Sequence, residues 1–162
     1  MGEPLTNLDR VLRAIEVLSE PSAQAIDARN ITVCTAGLPA GIRMLARKVH
    51  KVARTAPLPF AQRFVGHVVR MQEEIGTGGG GFRFLYGAFL QEAGVLLGNA
   101  NLQELALQMI GIGDVWRDFA YDAARMSKGR LPLDGAHLAA QLNNLAEREA
   151  ALFRAVRAEA NA

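Results

Sequence analysis

The feature of this sequence best suited to chemistry is a glycine-rich run in the middle of the chain. The run comprises Gly76, Thr77, Gly78, Gly79, Gly80 and Gly81. A loop of this kind before a helix presents unpaired backbone N–H groups at the positive end of the helix dipole, and Arg83 adds a cation there. The pattern predicts capture of a phosphate, sulfate or carboxylate. It is not a nucleotide-binding P-loop, because Phe82 stands where a Lys is required. The alternative is a tight crossover that admits only small residues.

A carboxylate interrupts the apolar stripe of the last predicted helix. Glu149 follows Leu142 and Leu145 and precedes Leu152 at helical spacing. A buried carboxylate is costly unless it is paired, and the partners considered are Arg83, Arg117 and Tyr86. The alternative is a slight rotation of the helix that brings Glu149 to solvent. The predicted ligand-binding residues are Gly76, Thr77, Gly78, Gly79, Gly80, Gly81, Arg83, Tyr86 and Glu149.

Candidates for catalysis are few. The one cysteine, Cys34, lies in an apolar context, and a free cysteine is usually a small hydrophobic residue. His50 and His67 lack the spacing of metal ligands to each other or to His137. We therefore expect no catalytic residue, no metal and no cofactor, and a chain that is not catalytic on its own.

The elements that must position these residues are helices. Strand patterns are almost absent, whereas apolar residues recur at helical spacing in successive segments. The predicted helices cover about 7–19, 22–33, 40–54, 60–75, 81–97, 102–126 and 134–158. Trp116 falls on the continuous apolar stripe of the 102–126 helix, which favours core packing over ligand stacking. The predicted fold is all-α, a compact bundle of about six helices with the glycine-rich loop before the fifth.

Length and composition limit the classes of function. A chain of 162 residues fits one domain, here predicted to span 1–162. The net charge of +2 gives no reason to expect nucleic-acid binding, although the basic helix from Arg43 to Arg54 could dock an acidic partner or simply be solvated. A single cysteine and no long apolar run indicate a cytoplasmic protein without a membrane span or secretory signal.

The segment from Ile75 to Ala93 resembles the C-terminal half of the butirosin biosynthesis H-type acyltransferases. The matching positions are Ile75 to Gly79, Phe82, Arg83, Tyr86, Phe89, Leu90, Glu92 and Ala93, followed by Gly113, Asp114, Trp116 and Arg117. The similarity extends over about 8–156. Members of that family carry a cysteine nucleophile in a papain-like N-terminal half and transfer an acyl group from a carrier protein to an aminoglycoside. This chain lacks that half.

The resemblance implies an accessory helical domain, without catalysis of its own, that binds a small anionic ligand, a carrier arm or a partner chain near the glycine-rich loop. One alternative is a subunit of a split acyltransferase whose nucleophile lies on a papain-like partner chain. Another is a structural protein that self-associates through apolar surface. The expected partners are therefore a second copy of the chain or a papain-like chain, with no nucleic acid and no membrane.

Overall fold

The computed structural model describes residues 8–20, 26, 39–74 and 79–161. This part of the chain is all-α and has no strand, as the sequence predicts. Its six helices are α1 (Leu8–Ser19), α2 (Pro39–Thr55), α3 (Leu58–Glu73), α4 (Arg83–Leu97), α5 (Ala100–Ser127) and α6 (Gly135–Glu159). A 3₁₀ turn at Gly80–Phe82 leads into α4. Apart from residue 26, the helix predicted over 22–33 lies outside the described residues, as do Cys34 and Ile75 to Gly78.

Local signals place the helix ends close to where the sequence predicts them. Pro57 precedes α3, and Gly98 adopts a left-handed conformation after α4 with φ of 63°. The Asn99 side chain accepts a hydrogen bond from the backbone N–H of Leu102 at the start of α5. The Asp134 side chain accepts from Ala136 and His137 at the start of α6. Such caps satisfy N–H groups that have no partner within the helix.

The core forms around α5, which packs against α3, α4 and α6, while α2 covers the other side of α6. Phe119 is fully buried, and Trp116 packs edge-on against it with ring centroids 5.8 Å apart. Leu138, Leu142 and Leu145 line the buried face of α6. The predicted burial of Trp116 is thereby confirmed. None of the described helices is both long and apolar enough to cross a membrane.

Candidate functional site

A buried ion pair joins the first residue of α4 to the middle of α6. Arg83 Nε lies 2.8 Å from Glu149 Oε1, and Arg83 Nη2 lies 3.0 Å from Glu149 Oε2. Arg83 is only 6% exposed and Glu149 is completely buried. The two parallel contacts form the bidentate geometry in which a guanidinium holds a carboxylate most firmly.

Trp116 completes this cluster from α5. Its indole Nε1 donates to Glu149 Oε1 over 2.7 Å, and its ring lies under the Arg83 guanidinium, whose carbon is 4.9 Å from the ring centre. Burial raises the pKa of Glu149, while the Arg83 charge and the hydrogen bonds from Trp116 and Arg83 act in the opposite direction. Three helices are therefore tied together at one carboxylate, which accepts hydrogen bonds from two of them.

The end of the glycine-rich run closes over the same cluster. Arg83 Nη1 donates to the carbonyl oxygen of Gly81 over 2.6 Å, and the backbone N–H of Gly80 donates to Glu73 Oε1 over 3.0 Å. Gly81 has φ of 54°, which L residues rarely adopt, and a Cβ there would collide with the Arg83 side chain. The requirement for glycine at this position is thus explained by the course of the backbone.

The structure brings together part of the predicted ligand site. Gly81, Arg83 and Glu149 meet, Gly79 and Gly80 adjoin them, and Gly76, Thr77 and Gly78 lie outside the described residues. Tyr86 lies elsewhere and packs against Phe89 and Phe153. Of the two interpretations of Glu149, the paired one is correct. Trp116 was not among the partners considered, because its position on the apolar stripe indicates packing and says nothing about its N–H group. Anion binding at this loop stays a prediction.

The outward face of α4 is a second candidate site. Three large apolar side chains lie on it in water, with Leu85 67%, Phe89 61% and Leu96 76% exposed. The opposite face, which packs on α5, consists of Arg83, Gly87, Leu90 and Gly94. In a surface helix of a globular protein, the large apolar residues normally face the core. In α4, Leu90 faces the core, but three large apolar residues lie on the opposite, exposed face.

The two glycines of the inner face explain how α4 can pack this way. A Cβ at Gly87 would lie 3.0 Å from Ile110 Cγ1, and a Cβ at Gly94 would lie 2.9 Å from the carbonyl oxygen of Asn99. Because Gly87 and Gly94 have no Cβ, α4 approaches α5 more closely than larger residues at these positions would permit. The inner face of α4 therefore packs on α5, and the face with the large apolar side chains remains exposed.

Within the described part of the chain, no group of three or more His, Cys, Asp or Glu side chains could hold a metal ion. An open cleft of about 440 Å³ beside the start of α6 is lined by residues that include His50, Arg54 and Asp134. The Asp134 carboxylate already accepts a hydrogen bond from the backbone as the cap of α6.

Together these features define a helical domain whose interior is tied by one buried ion pair and whose fourth helix presents an apolar face. The chain belongs to the family described as "Domain of unknown function (DUF4872)", which matches residues 10–156. No solved structure matches it.

Curated relatives of this chain include proteins named as RNA methyltransferases. A stretch of 52 residues is 77% identical to a probable RNA methyltransferase of Sorangium cellulosum, covering 32% of this chain and 13% of that protein. A stretch of 48 residues is 56% identical to the dual-specificity RNA methyltransferase RlmN of Syntrophobacter fumaroxidans, covering 30% and 14%. A stretch of 61 residues is 43% identical to a probable RlmN of Treponema pallidum, covering 38% and 18%. The chain therefore spans less than a fifth of these proteins.

These names correct the resemblance to butirosin biosynthesis H-type acyltransferases, which is wrong. The predicted accessory role beside an acyltransferase, and the split enzyme derived from it, are wrong with it. Two of the residues that suggested the resemblance have structural roles in this fold. Arg83 and Trp116 hold the carboxylate of Glu149 in the interior. Requirements of this kind arise in helical packing whatever the function, so the motif was less specific than the sequence suggested.

Proposed function

We propose that this domain is a docking domain that binds another protein surface through the outward face of α4. The observation that carries the proposal is the exposed apolar face of α4, where Leu85, Phe89 and Leu96 lie in water while two glycines pack against α5. Burying a Leu or Phe side chain contributes roughly 1.5–3 kcal/mol. A helix that forgoes this contribution on three large residues gains it when a second apolar surface covers them.

The composition of the face supports a protein partner over a charged ligand. The solvent-facing stripe of α4 contains a single charged residue, Glu92, between Phe89 and Leu96. Val95 and Leu97 widen the apolar area on either side, at 60% and 73% exposure. Contiguous exposed apolar surface of this kind marks protein interaction sites. Catalysis is not part of the proposed role.

Site-specific photocrosslinking tests the docking role. A photoreactive phenylalanine at position 89 of the full chain should give protein adducts in host cells, because the side chain lies inside the proposed contact. The same group at position 147, an exposed site on α6, is the matched control and should give none. Adducts of equal yield from both positions, or none from position 89, would refute the proposal.

RNA binding is a second candidate, favoured by a segregation of charge. Seven of the 18 Lys and Arg residues, and none of the 16 Asp and Glu residues, lie between Pro39 and Gln72. Arg47, Lys51 and Arg54 form one exposed stripe along α2. Cationic side chains in such a stripe suit the phosphates of a nucleic acid. The names of the relatives suggest RNA as that acid, and a cytoplasmic location would accord with it. This candidate departs from the expectation of no nucleic acid, which rested on net charge alone.

Charge-removal variants test this candidate. Replacing Arg47, Lys51 and Arg54 by Gln should weaken binding to a structured RNA and lower the salt dependence of the affinity. The control replaces Arg148, Arg154 and Arg157, three exposed cations of α6. Equal losses in both triple variants would show non-specific attraction, and no binding by the parent chain would exclude RNA as a ligand.

A further inference from the structure

We infer that the surface that covers α4 is α4 of a second copy of this chain, in an antiparallel arrangement about a twofold axis. The inference rests on the proposed docking role and names its partner. It follows from the spacing of the outward residues and from the area of that face.

The spacing of the outward stripe is the same when read in either direction. Leu85, Phe89, Glu92 and Leu96 are separated by four, three and four residues. Positions at these intervals lie along one side of a helix. When a second α4 lies antiparallel on the first, one register places Leu85 beside Leu96 of the second copy and Phe89 beside its Glu92. A twofold axis requires this kind of self-complementarity, because both copies present the same patch.

The charge on the face limits the strength of pairing with a second copy. No cation lies on this stripe, and its one anion, Glu92, falls beside the middle of the proposed contact. In that register the Glu92 methylenes pack near the Phe89 ring of the other copy, and the carboxylate reaches the solvated rim. Two Glu92 carboxylates then lie on either side of the axis and repel each other. The arrangement therefore associates reversibly and predicts that neutralising Glu92 strengthens it.

The apolar area suits a weak, reversible pair. Complete burial of one Leu, Val or Phe side chain corresponds to about 60–120 Å² at roughly 25 cal/mol per Å². Leu85, Phe89 and Leu96 lie on the stripe and are each more than 60% exposed, whereas Val95 and Leu97 lie on opposite flanks, where one partner helix covers them only in part. Together these residues offer on the order of 200–300 Å² per copy. Because apolar atoms form roughly 60% of an interface, two copies fit a total of roughly 700–1,000 Å², the size of a weak or transient complex.

Charge-reversal variants of the full chain test the pairing and its register by native mass in light scattering. The parent chain should be a dimer. Leu85→Glu alone and Leu96→Lys alone should each raise the dimer dissociation constant about 100-fold, since each buries an unpaired charge. The double variant Leu85→Glu/Leu96→Lys should restore the dimer, because the new charges face each other across the axis. Leu58→Glu, at a leucine of α3 that is 57% exposed, is the control and should leave the dimer intact.

Cysteine crosslinking provides a second readout of register, in a Cys34→Ser background. A mixture of Leu85→Cys chains with Leu96→Cys chains should form the disulfide dimer, whereas Leu85→Cys alone should not. In the proposed register two copies of residue 85 are about 16 Å apart along the axis, at 1.5 Å per residue. Dimers of Leu85→Cys alone would indicate parallel helices and overturn the inference.

The two proposals fail separately. A monomeric parent chain whose position-89 photoadducts contain a different protein would refute self-pairing and retain the docking role. A monomer without adducts would refute both. A dimer whose dissociation constant is unaffected by Leu85→Glu and Leu96→Lys would place the contact between copies elsewhere and refute self-pairing through α4, while the position-89 adducts would still decide the docking role.

Discussion

Arg83 and Glu149 are 66 residues apart in sequence and form a bidentate ion pair in the interior, with heavy-atom distances of 2.8 and 3.0 Å. The pair connects the first turn of α4 to the middle of α6, and Trp116 of α5 donates a third hydrogen bond to the same carboxylate. Arg83 also holds the carbonyl of Gly81. The geometry of the glycine-rich loop is thereby coupled to the packing of three helices.

Removing one partner of this pair should be costly. Glu149→Gln leaves the Arg83 guanidinium buried without its counter-charge, and we expect the free energy of unfolding to fall by about 3 kcal/mol. The double variant Arg83→Met/Glu149→Leu removes both charges and should recover much of that loss. Urea denaturation of the three proteins measures both effects. A single variant as stable as the parent would mean that the pair does not form in solution.

The structure also revises what Arg83→Ala should do. An anion site built on Arg83 predicts that this variant binds anions less well and keeps its fold. Because Arg83 is buried and donates to Glu149 and Gly81, we now expect Arg83→Ala to lower the melting temperature substantially. Thermal unfolding monitored by circular dichroism, with and without added phosphate, measures both properties. Stabilisation of the parent by phosphate, lost in a folded variant, would restore the anion-site interpretation.

Two nearby glycines of α5 should respond in opposite ways to alanine. A Cβ at Gly113 would lie 2.8 Å from the ring of Phe84, whereas a Cβ at Gly111 meets nothing within 4 Å. Gly111→Ala should stabilise the protein by about 0.5–1 kcal/mol, because alanine is the better helix former. Gly113→Ala should destabilise it by about 1–3 kcal/mol through overpacking. The denaturation midpoints of the two variants and the parent measure both effects. Equal effects at the two positions would contradict the close packing of Phe84 against Gly113.

The acid sensitivity of the fold should depend in part on Asp122. The hydrogen bond from His137, at 2.9 Å, is the largest cause that lowers the pKa of Asp122, and Gln141 adds a second bond. Because the pKa of Asp122 is lower in the folded than in the unfolded protein, its ionised form stabilises the fold at pH values above the ordinary Asp pKa of 3.8. This stabilisation is lost as the pH falls from 3.8 through the lowered pKa, because the unfolded chain takes up the proton first. Asp122→Asn should therefore flatten the loss of stability below about pH 4.

The control for this prediction is Asp118→Asn, which neutralises an exposed carboxylate on the same helix. Free energies of unfolding between pH 2 and 7 should show the acid-side slope of the parent in Asp118→Asn and a shallower slope in Asp122→Asn. Identical profiles for all three proteins would show that the Asp122–His137 contact is absent in solution.

The cap of α6 provides a further stability prediction. Asp134 Oδ1 accepts from the N–H groups of Ala136 and His137, at 3.0 and 2.9 Å. Asp134→Ala leaves both groups without this partner and should cost about 1 kcal/mol, whereas Asp134→Ser should retain most of the stability. The ratio of folded to unfolded protein in urea distinguishes the two variants. Equal stability of both would argue against a capping role.

Much of the fold is local in origin and could be predicted from the sequence. The apolar repeat through Leu105, Met109, Trp116 and Phe119 specifies one long helix with one buried face, and α5 has that length and that face. Gly98 and Asn99 stop one helix and cap the next by interactions within a few residues. Periodicity and capping depend on neighbours in sequence, so a single chain reveals them.

The candidate sites were decided by contacts between distant parts of the chain. Sequence alone predicted that Glu149 would need a partner if it were buried, but only the packing of α4, α5 and α6 buried it, selected Arg83 and Trp116 and left Tyr86 outside. The orientation of α4 is a stronger case. Leu85, Phe89 and Leu96 make the apolar stripe that normally faces a core, yet the glycines on the other side admit α5 at closer range. Which face of a helix is buried depends on the shape of its neighbour as well as on its own hydrophobicity, and that shape exists only in the tertiary structure.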